Sequence, residues 1–207
     1  MMAGLGLPRR VEMLRRIGLL LTGLFLLLPA ATASASTQRD VSIVNFSFSP
    51  TPLSAAIGDF VVFTNTTTTT QHTSTADLLG LWDSGHILPG KTFTVNFDHA
   101  GTFAYHCAIH TFMKGSVSVP LRVSPSSGPL STTFTITVAD QPAPAGMTQD
   151  IQKRRVGGTW KTWRSTTGMS TTFKPTKTST FQFRARLRRT SDNVATGWSP
   201  VASASVV

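Results

Sequence analysis

Between Val41 and Val119 apolar side chains recur at every second position in short runs. These are Val41 and Ile43, Phe46 and Phe48, Phe60 and Val62, Phe93, Val95 and Phe97, Phe103 and Tyr105, and Val117 and Val119. Successive side chains of a strand point to opposite faces, so this period predicts half-buried strands. The turn-forming stretches "SPTP", "IGD", "LPGK", "DHAG" and "MKG" separate the runs, at spacings of about 8 to 12 residues, the punctuation of a sandwich or small barrel. The change of phase between Ile43 and Phe46 predicts a bulge. Residues 65–71, "NTTTTTQ", are polar and of low complexity, and read as a loop.

The pattern resets at "VPLRVSPSSGP", where Pro120, Pro125 and Pro129 flank a serine pair. Such a stretch predicts a short, fairly stiff linker over residues 121–129. Beyond it further strands are expected near 132–138, 148–155, 159–164, 178–187 and 201–207, the third being a central strand carrying Trp160 and Trp163. With 13 Phe against one Tyr, 16 Gly and 12 Pro, composition agrees with short strands and turns. The fold class expected is all-β, with two sandwiches at residues 36–120 and 130–207 and no internal repeat between them.

The first 35 residues are a different material. "PRRVEMLRR" is basic, Ile17 to Leu28 is apolar, and "ATASAS" offers small residues for cleavage after Ala33 or Ala35. This is the composition of an export signal over residues 1–35. Its apolar run is shorter than the roughly 20 residues that span a bilayer, so membrane attachment is expected only if the signal is left uncleaved. The paired arginines also raise a twin-arginine route. The periplasm, the cell surface and the medium are all open as destinations. Asn45 and Asn65 stand in glycosylation sequons, which matter only in a host that uses them.

The formal charge is +10, but residues 36–120 carry three basic and five acidic side chains while residues 121–207 carry twelve and three. Basicity belongs to the C-terminal part, and the difference in sign leaves room for the two parts to dock on each other. Nucleic acid is an improbable partner for an exported chain.

Cys107 has no partner cysteine in the chain. Secreted proteins pair their thiols, and an exposed lone thiol oxidises, so an occupied one is indicated. Its neighbours point the same way in "AYHCAIHTFMKG", residues 104–115. If Phe103, Tyr105 and Cys107 share one strand face, His106 points away as a surface histidine. Past Cys107 the chain must turn, and Cys-x2-His-x2-Met in a tight loop brings Cys107, His110 and Met113 to one point. One ligand is missing from that loop. His72, His86 and His99 are the candidates; His86 and His99 read as solvated loop residues, while His72 follows a strand and suits one end of the sandwich. Two imidazoles, a thiolate and a weak thioether form a blue-copper donor set, whereas zinc gains nothing from methionine. A single cysteine excludes a Cys2His2 zinc site and a thiolate-bridged dinuclear copper centre.

Residues 39–120 resemble the cupredoxin family, the plastocyanin, amicyanin and pseudoazurin group. The similarity lies in "DVSIVNFSFSPTPLSAAIGDFVVFTN", "QHT", "FTVNFDHAGTFAYHC" and "CAIHTFMKGSV". It implies a Greek-key sandwich with one Cu(I)/Cu(II) ion, His72, Cys107 and His110 as equatorial ligands and Met113 as the axial one. It also implies transfer of single electrons to a redox partner protein through the outward edge of His110; Ala108, Ile109 and Phe112 read as an apolar collar around that edge, with core packing the alternative for Phe112. Thr73 and Thr111 depart from the Asn and Pro common in the family after the first and second histidines. No general acid, base or nucleophile is evident, and a full ligand set leaves no open position, so an enzyme is not expected. Copper storage or delivery without electron exchange would use the same four ligands.

The tail "TFQFRARLRRTSDNVATGWSPVASASVV" resembles a fibronectin type III or related immunoglobulin-like sandwich. In it Phe181, Phe183, Ala185 and Leu187 form a core face, and Arg184, Arg186 and Arg188 an outward row. That row is either a solvated face or, with Lys153, Arg154 and Arg155, a surface attracted to an anion such as a cell-surface polymer. A wall-binding protein with an accessory copper domain is a third reading.

Overall fold

The computed structural model describes residues 35–207, which lie in one compact unit, and among them every regular element is a β-strand. The export signal expected over residues 1–35 lies outside the described residues but for its last position.

The N-terminal half contains β1 (Gln38–Val44), β2 (Ser47–Ser49), β3 (Leu53–Ser54), β4 (Asp59–Asn65), β5 (Thr75–Ala76), β6 (Thr92–Phe97), β7 (Gly101–His106) and β8 (Lys114–Val119). They form two four-stranded sheets, ordered β2-β1-β4-β6 and β3-β8-β7-β5. β1 pairs in parallel with β4, and β3 with β8, while the remaining pairs are antiparallel. Chain crossing between the sheets makes the Greek-key sandwich that was expected. Aromatic side chains hold the sheets together: Tyr105 meets Phe48 and Phe63 edge to face, with ring centroids 4.8 and 5.1 Å apart.

Two details differ from the periodicity. Val61 and Phe63, not Phe60 and Val62, are the fully buried pair of β4. Residues 60–63 are apolar without a break, so either phase fits the sequence; the register with β1, which sets Phe63 beside Val41, decides. The bulge expected after Ile43 is instead a two-residue hairpin turn, since Val44 pairs with Ser47 and both Asn45 and Phe46 take positive φ, 44° and 58°. The turn reverses the phase and leaves Phe46 46% exposed.

The C-terminal half contains β9 (Arg122–Ser124), β10 (Ser127–Gly128), β11 (Phe134–Thr137), β12 (Met147–Arg155), β13 (Lys161–Thr166), β14 (Ser170–Phe173), β15 (Ser179–Arg189) and β16 (Ala202–Val206). Their sheets are β10-β16-β15-β12-β13 and β14-β11-β9. Phe173 on the smaller sheet packs on Phe181, Phe183 and Trp163 of the larger at 4.8, 5.2 and 5.8 Å, giving a second β-sandwich. Residues 121–129, expected as a linker, carry β9 and β10, because prolines there leave enough free N–H groups to pair at sheet edges. The segment carrying Trp163 is an edge strand, not a central one, since β13 pairs with β12 alone, and Trp160 lies just before it.

The halves share one apolar cluster from Val41 to Val206. Backbone hydrogen bonds cross between them, from Ala100 N to Val138 O at 2.8 Å and reciprocally between Thr102 and Gly197 at 2.9 Å. The Thr102 hydroxyl also donates to Trp198 O at 2.9 Å. Among the described residues every ion pair lies within one half. The docking that the charge difference allowed is therefore carried by main-chain pairing, apolar packing and a hydrogen bond from the Arg189 guanidinium to Leu79 O at 2.8 Å, not by ion pairs.

Tight packing around Tyr105 yields a stability prediction. Gly115 lies opposite Tyr105 on β8, and a Cβ there would fall inside the phenol ring. Tyr105 is fully buried and cannot move aside. Gly115→Ala is expected to cost about 1–3 kcal/mol, read as a lower denaturant midpoint at an unchanged slope.

Candidate metal centre

The first arm of the centre begins where β4 ends. Asn65 is completely buried, and its amide Nδ2 donates to Thr70 O and Ile87 O, both at 2.8 Å. Its Oδ1 accepts from the Thr67 N–H at 3.0 Å and the Thr67 hydroxyl at 2.7 Å. One carboxamide thus folds the threonine loop back on itself and sets the entry to His72. With both ends of the amide engaged in the interior, the sequon at Asn65 is closed to modification in the folded chain. His72 is then fixed by paired backbone bonds to Ile87, at 3.2 and 2.7 Å.

The second arm is the turn after β7. Met113 N donates to His110 O at 2.9 Å and Cys107 N to Met113 O at 3.1 Å, so the loop closes on itself and His110 and Met113 return to Cys107. The arms meet at three atoms. Cys107 Sγ lies 3.6 Å from His110 Nδ1 and 3.8 Å from His72 Nδ1, and the two Nδ1 atoms are 3.2 Å apart. A point equidistant from the corners of such a triangle is about 2 Å from each, within the ~2.0–2.3 Å of metal–imidazole and metal–thiolate bonds. Burial, and then the neighbouring His110 ring, hold the His72 pKa below the ordinary imidazole range. At neutral pH His72 is therefore unprotonated, the form that ligates a metal. Among the described residues this is the one grouping of metal-ligating His, Cys, Asp or Glu side chains. Met113 is 2% exposed in the core beneath the loop.

The other histidines are elsewhere. His86 is exposed. His99, expected in a solvated turn, is buried, because it pairs with Ala139 and the second sandwich covers it. Burial lowers its pKa, opposed by a hydrogen bond at Pro142 and the carboxylates of Asp98 and Asp140. His106 points away from Cys107, as alternation requires, and its Nδ1 lies 2.7 Å from Asp77 Oδ1.

Two residues at the centre escaped sequence reading. The Thr73 N–H points at Cys107 Sγ from 3.3 Å, and its hydroxyl accepts the Ala108 N–H at 2.7 Å. Thr73 thus ties the His72 arm to the cysteine loop; the sequence marked this position only as a departure from the family's Asn. Phe46, placed by its positive φ, stands edge-on to His110 and His72, with centroids 4.8 and 5.6 Å away. A bulky residue in the left-handed region is uncommon and marks local constraint. Phe112 is 71% exposed and Ile109 39%. Phe112 is therefore surface, and Phe46 joins it around the partly exposed His110 ring.

A sandwich with one cysteine and two histidines gathered at its end, above a buried methionine, carries the donor set of a mononuclear copper-binding class. Residues 17–119 match the family model described as "Cupredoxin-like domain". The chain carries a cupredoxin domain, and its His72, Cys107, His110 cluster with Met113 fits a single type 1 copper site. No curated protein matches the chain. Solved structures similar to it include a reduced amicyanin mutant, 25% identical over 42% of this chain and 85% of that one, TM-score 0.38. The Cu(I) form of another amicyanin mutant is 25% identical over 44% and 87%, TM-score 0.37. A Cu-containing nitrite reductase (NirK) from Thermus scotoductus SA-01 is 26% identical over 44% of this chain and 24% of that one, TM-score 0.38.

Replacing Thr73 by Ala leaves the Ala108 N–H without its partner. A loss of about 0.5–1.5 kcal/mol in unfolding free energy is expected, the net worth of one part-buried hydrogen bond, with Thr73→Ser near the parent value. Equal denaturation midpoints for all three proteins would show that the brace carries no weight.

Proposed function

We propose that this is an exported type 1 copper protein that carries single electrons between redox partner proteins. His72, Cys107 and His110 are its equatorial ligands and Met113 its axial ligand. The observation that carries this reading is the buried triangle of two Nδ1 atoms and one Sγ. Copper, once bound, supplies one-electron exchange between Cu(I) and Cu(II). The chain supplies rigidity, since Asn65, Thr73 and the closed 107–113 loop fix the donors from three directions before any ion arrives. It also supplies the exit: the His110 ring reaches the surface inside an apolar collar of Phe46, Ile109 and Phe112. A collar of that size suits brief, weak contact with a partner protein.

In this reading the cupredoxin unit spans residues 36–120, and an immunoglobulin-like or fibronectin type III-like sandwich spans 130–207. Residues 1–35 direct export to the periplasm, cell surface or medium. The basic C-terminal half favours an anionic polymer at the cell surface. The four-ligand set leaves no place for a substrate, so the protein is a carrier and not an enzyme.

Adding Cu(II) to the purified chain is expected to produce intense visible absorption from thiolate-to-copper charge transfer. Cys107→Ser abolishes that band. His86→Ala leaves it intact, and His99→Ala leaves it intact per bound copper while lowering stability, because His99 is buried. Repeated reduction and reoxidation without loss of metal separates a carrier from a copper-delivery protein. Absence of the band, or a tight preference for zinc, overturns the reading.

A further inference from the structure

Eight of the twelve basic residues of the C-terminal half fall into two groups with different surroundings. On the outer face of β12 and β15, Arg154 and Arg184 stack on Trp160 at 4.3 and 4.4 Å, and Arg184 and Arg186 on Trp198 at 4.8 and 4.5 Å. Gln182 accepts from Arg154 at 2.8 Å, Gln152 from Arg184 at 2.7 Å, and Asp150 from Arg188 at 2.8 Å. The outward arginine row is thus a self-satisfied ladder of guanidinium, indole, amide and carboxylate groups. Its cations have partners already.

The inner face is different. Lys153 pairs with Phe183 and with Lys161, and Arg155 with Phe181, so Lys153, Arg155 and Lys161 share the core side at one end of the sandwich. With Lys177 and Trp163 they line a cleft of about 580 Å³ whose walls include no Asp or Glu. The three carboxylates of residues 121–207 are all placed elsewhere: Asp150 with Arg186 and Arg188, Asp192 with Arg189, and Asp140 at the junction beside Asp98. The Lys153 ammonium sits 4.6 Å from the Phe173 ring and 5.0 Å from the Trp163 ring. Burial, and then the charge of Arg164, hold its pKa below the ordinary lysine range. Cation–π contact offsets part of that cost. A half-buried ammonium among like charges with no carboxylate is otherwise unfavourable, and an incoming anion relieves it.

We propose that this cleft binds one stretch of a linear, soluble polyanion, with successive phosphate or carboxylate groups lying against Lys153, Arg155, Lys161 and Lys177. The inference rests on the reading of the C-terminal half as attracted to an anionic polymer, and moves the contact from the arginine row to the cleft. A chain of oxyanions can enter a recess that a flat bilayer cannot, and of the exposed cations of this half Arg155, Lys161 and Lys177 line that recess.

The test titrates the full chain with inorganic polyphosphate and, separately, with polygalacturonate at fixed ionic strength, following tryptophan fluorescence. Lys161→Glu with Lys177→Glu reverses two exposed cleft charges; Lys91→Glu with Lys114→Glu makes the same change in net charge on the other half. The cleft pair is expected to weaken binding about tenfold or more, and the control pair less than twofold, with copper absorption unaltered in both. The tighter of the two polymers identifies the preferred oxyanion. Equal weakening by both pairs overturns the cleft and leaves a diffuse electrostatic attraction. Failure of the parent chain to bind either polymer overturns the polymer reading as well, and tighter binding to phosphatidylglycerol vesicles than to both polymers overturns the choice of a soluble chain.

Discussion

Holding a thiol and two imidazoles within 4 Å of one another at the edge of a packed core is the constraint on which the rest of this structure depends. Three electron-rich donors packed together have no attraction for each other, and the framework must supply what keeps them there. It does so with backbone pairing on both arms, β4 running into the Asn65-braced loop and β7 into the closed 107–113 turn. Thr73 then joins the arms, offering its N–H to the sulfur and its hydroxyl to the opposite loop. Because these bonds are made by the protein alone, the donor positions do not have to follow the charge of whatever they hold. A redox centre needs that independence if it is to change charge with little rearrangement.

The site's surroundings follow from the same economy of space. Tyr105 fills the core directly behind it, wedged between Phe48 and Phe63 and closed off by the backbone of Gly115. In front, a hairpin turn with two residues at positive φ swings Phe46 over both imidazoles. Of the three donor side chains only the His110 ring is left partly open to solvent, so contact with the site from outside is limited to that edge. The second sandwich covers His99 and the far end of β7, and it does so through shared core and reciprocal backbone bonds at Thr102 and Gly197. The two halves thereby leave the copper end free.

Much of this was legible along the chain. Alternation located most strands of both halves, named Phe181, Phe183, Ala185 and Leu187 as a core face, and turned His106 away from Cys107. The spacing Cys-x2-His-x2-Met gathered three donors because a tight turn has few ways to place them. Where alternation failed, it failed for lack of contrast: residues 60–63 are all apolar, and nothing local chooses between two phases. The short β9, β10 and β14 are invisible because two to four residues give no period, and their pairing is set by partners far along the chain.

The sequence by itself determined the donor chemistry, the all-β character and the uneven charge, since these depend on residue types and on spacing within one turn or strand. Only the tertiary structure decided that Asn65 and Thr73 brace the donors and that Phe46 faces them. It alone decided, too, that the outward arginines stack on tryptophans or bond Gln and Asp side chains, while Lys153, Arg155, Lys161 and Lys177 line a cleft without carboxylates. Each of those outcomes rests on contacts between segments tens of residues apart, where the register of one strand against another, and not the order of residues along either, fixes which side chains meet.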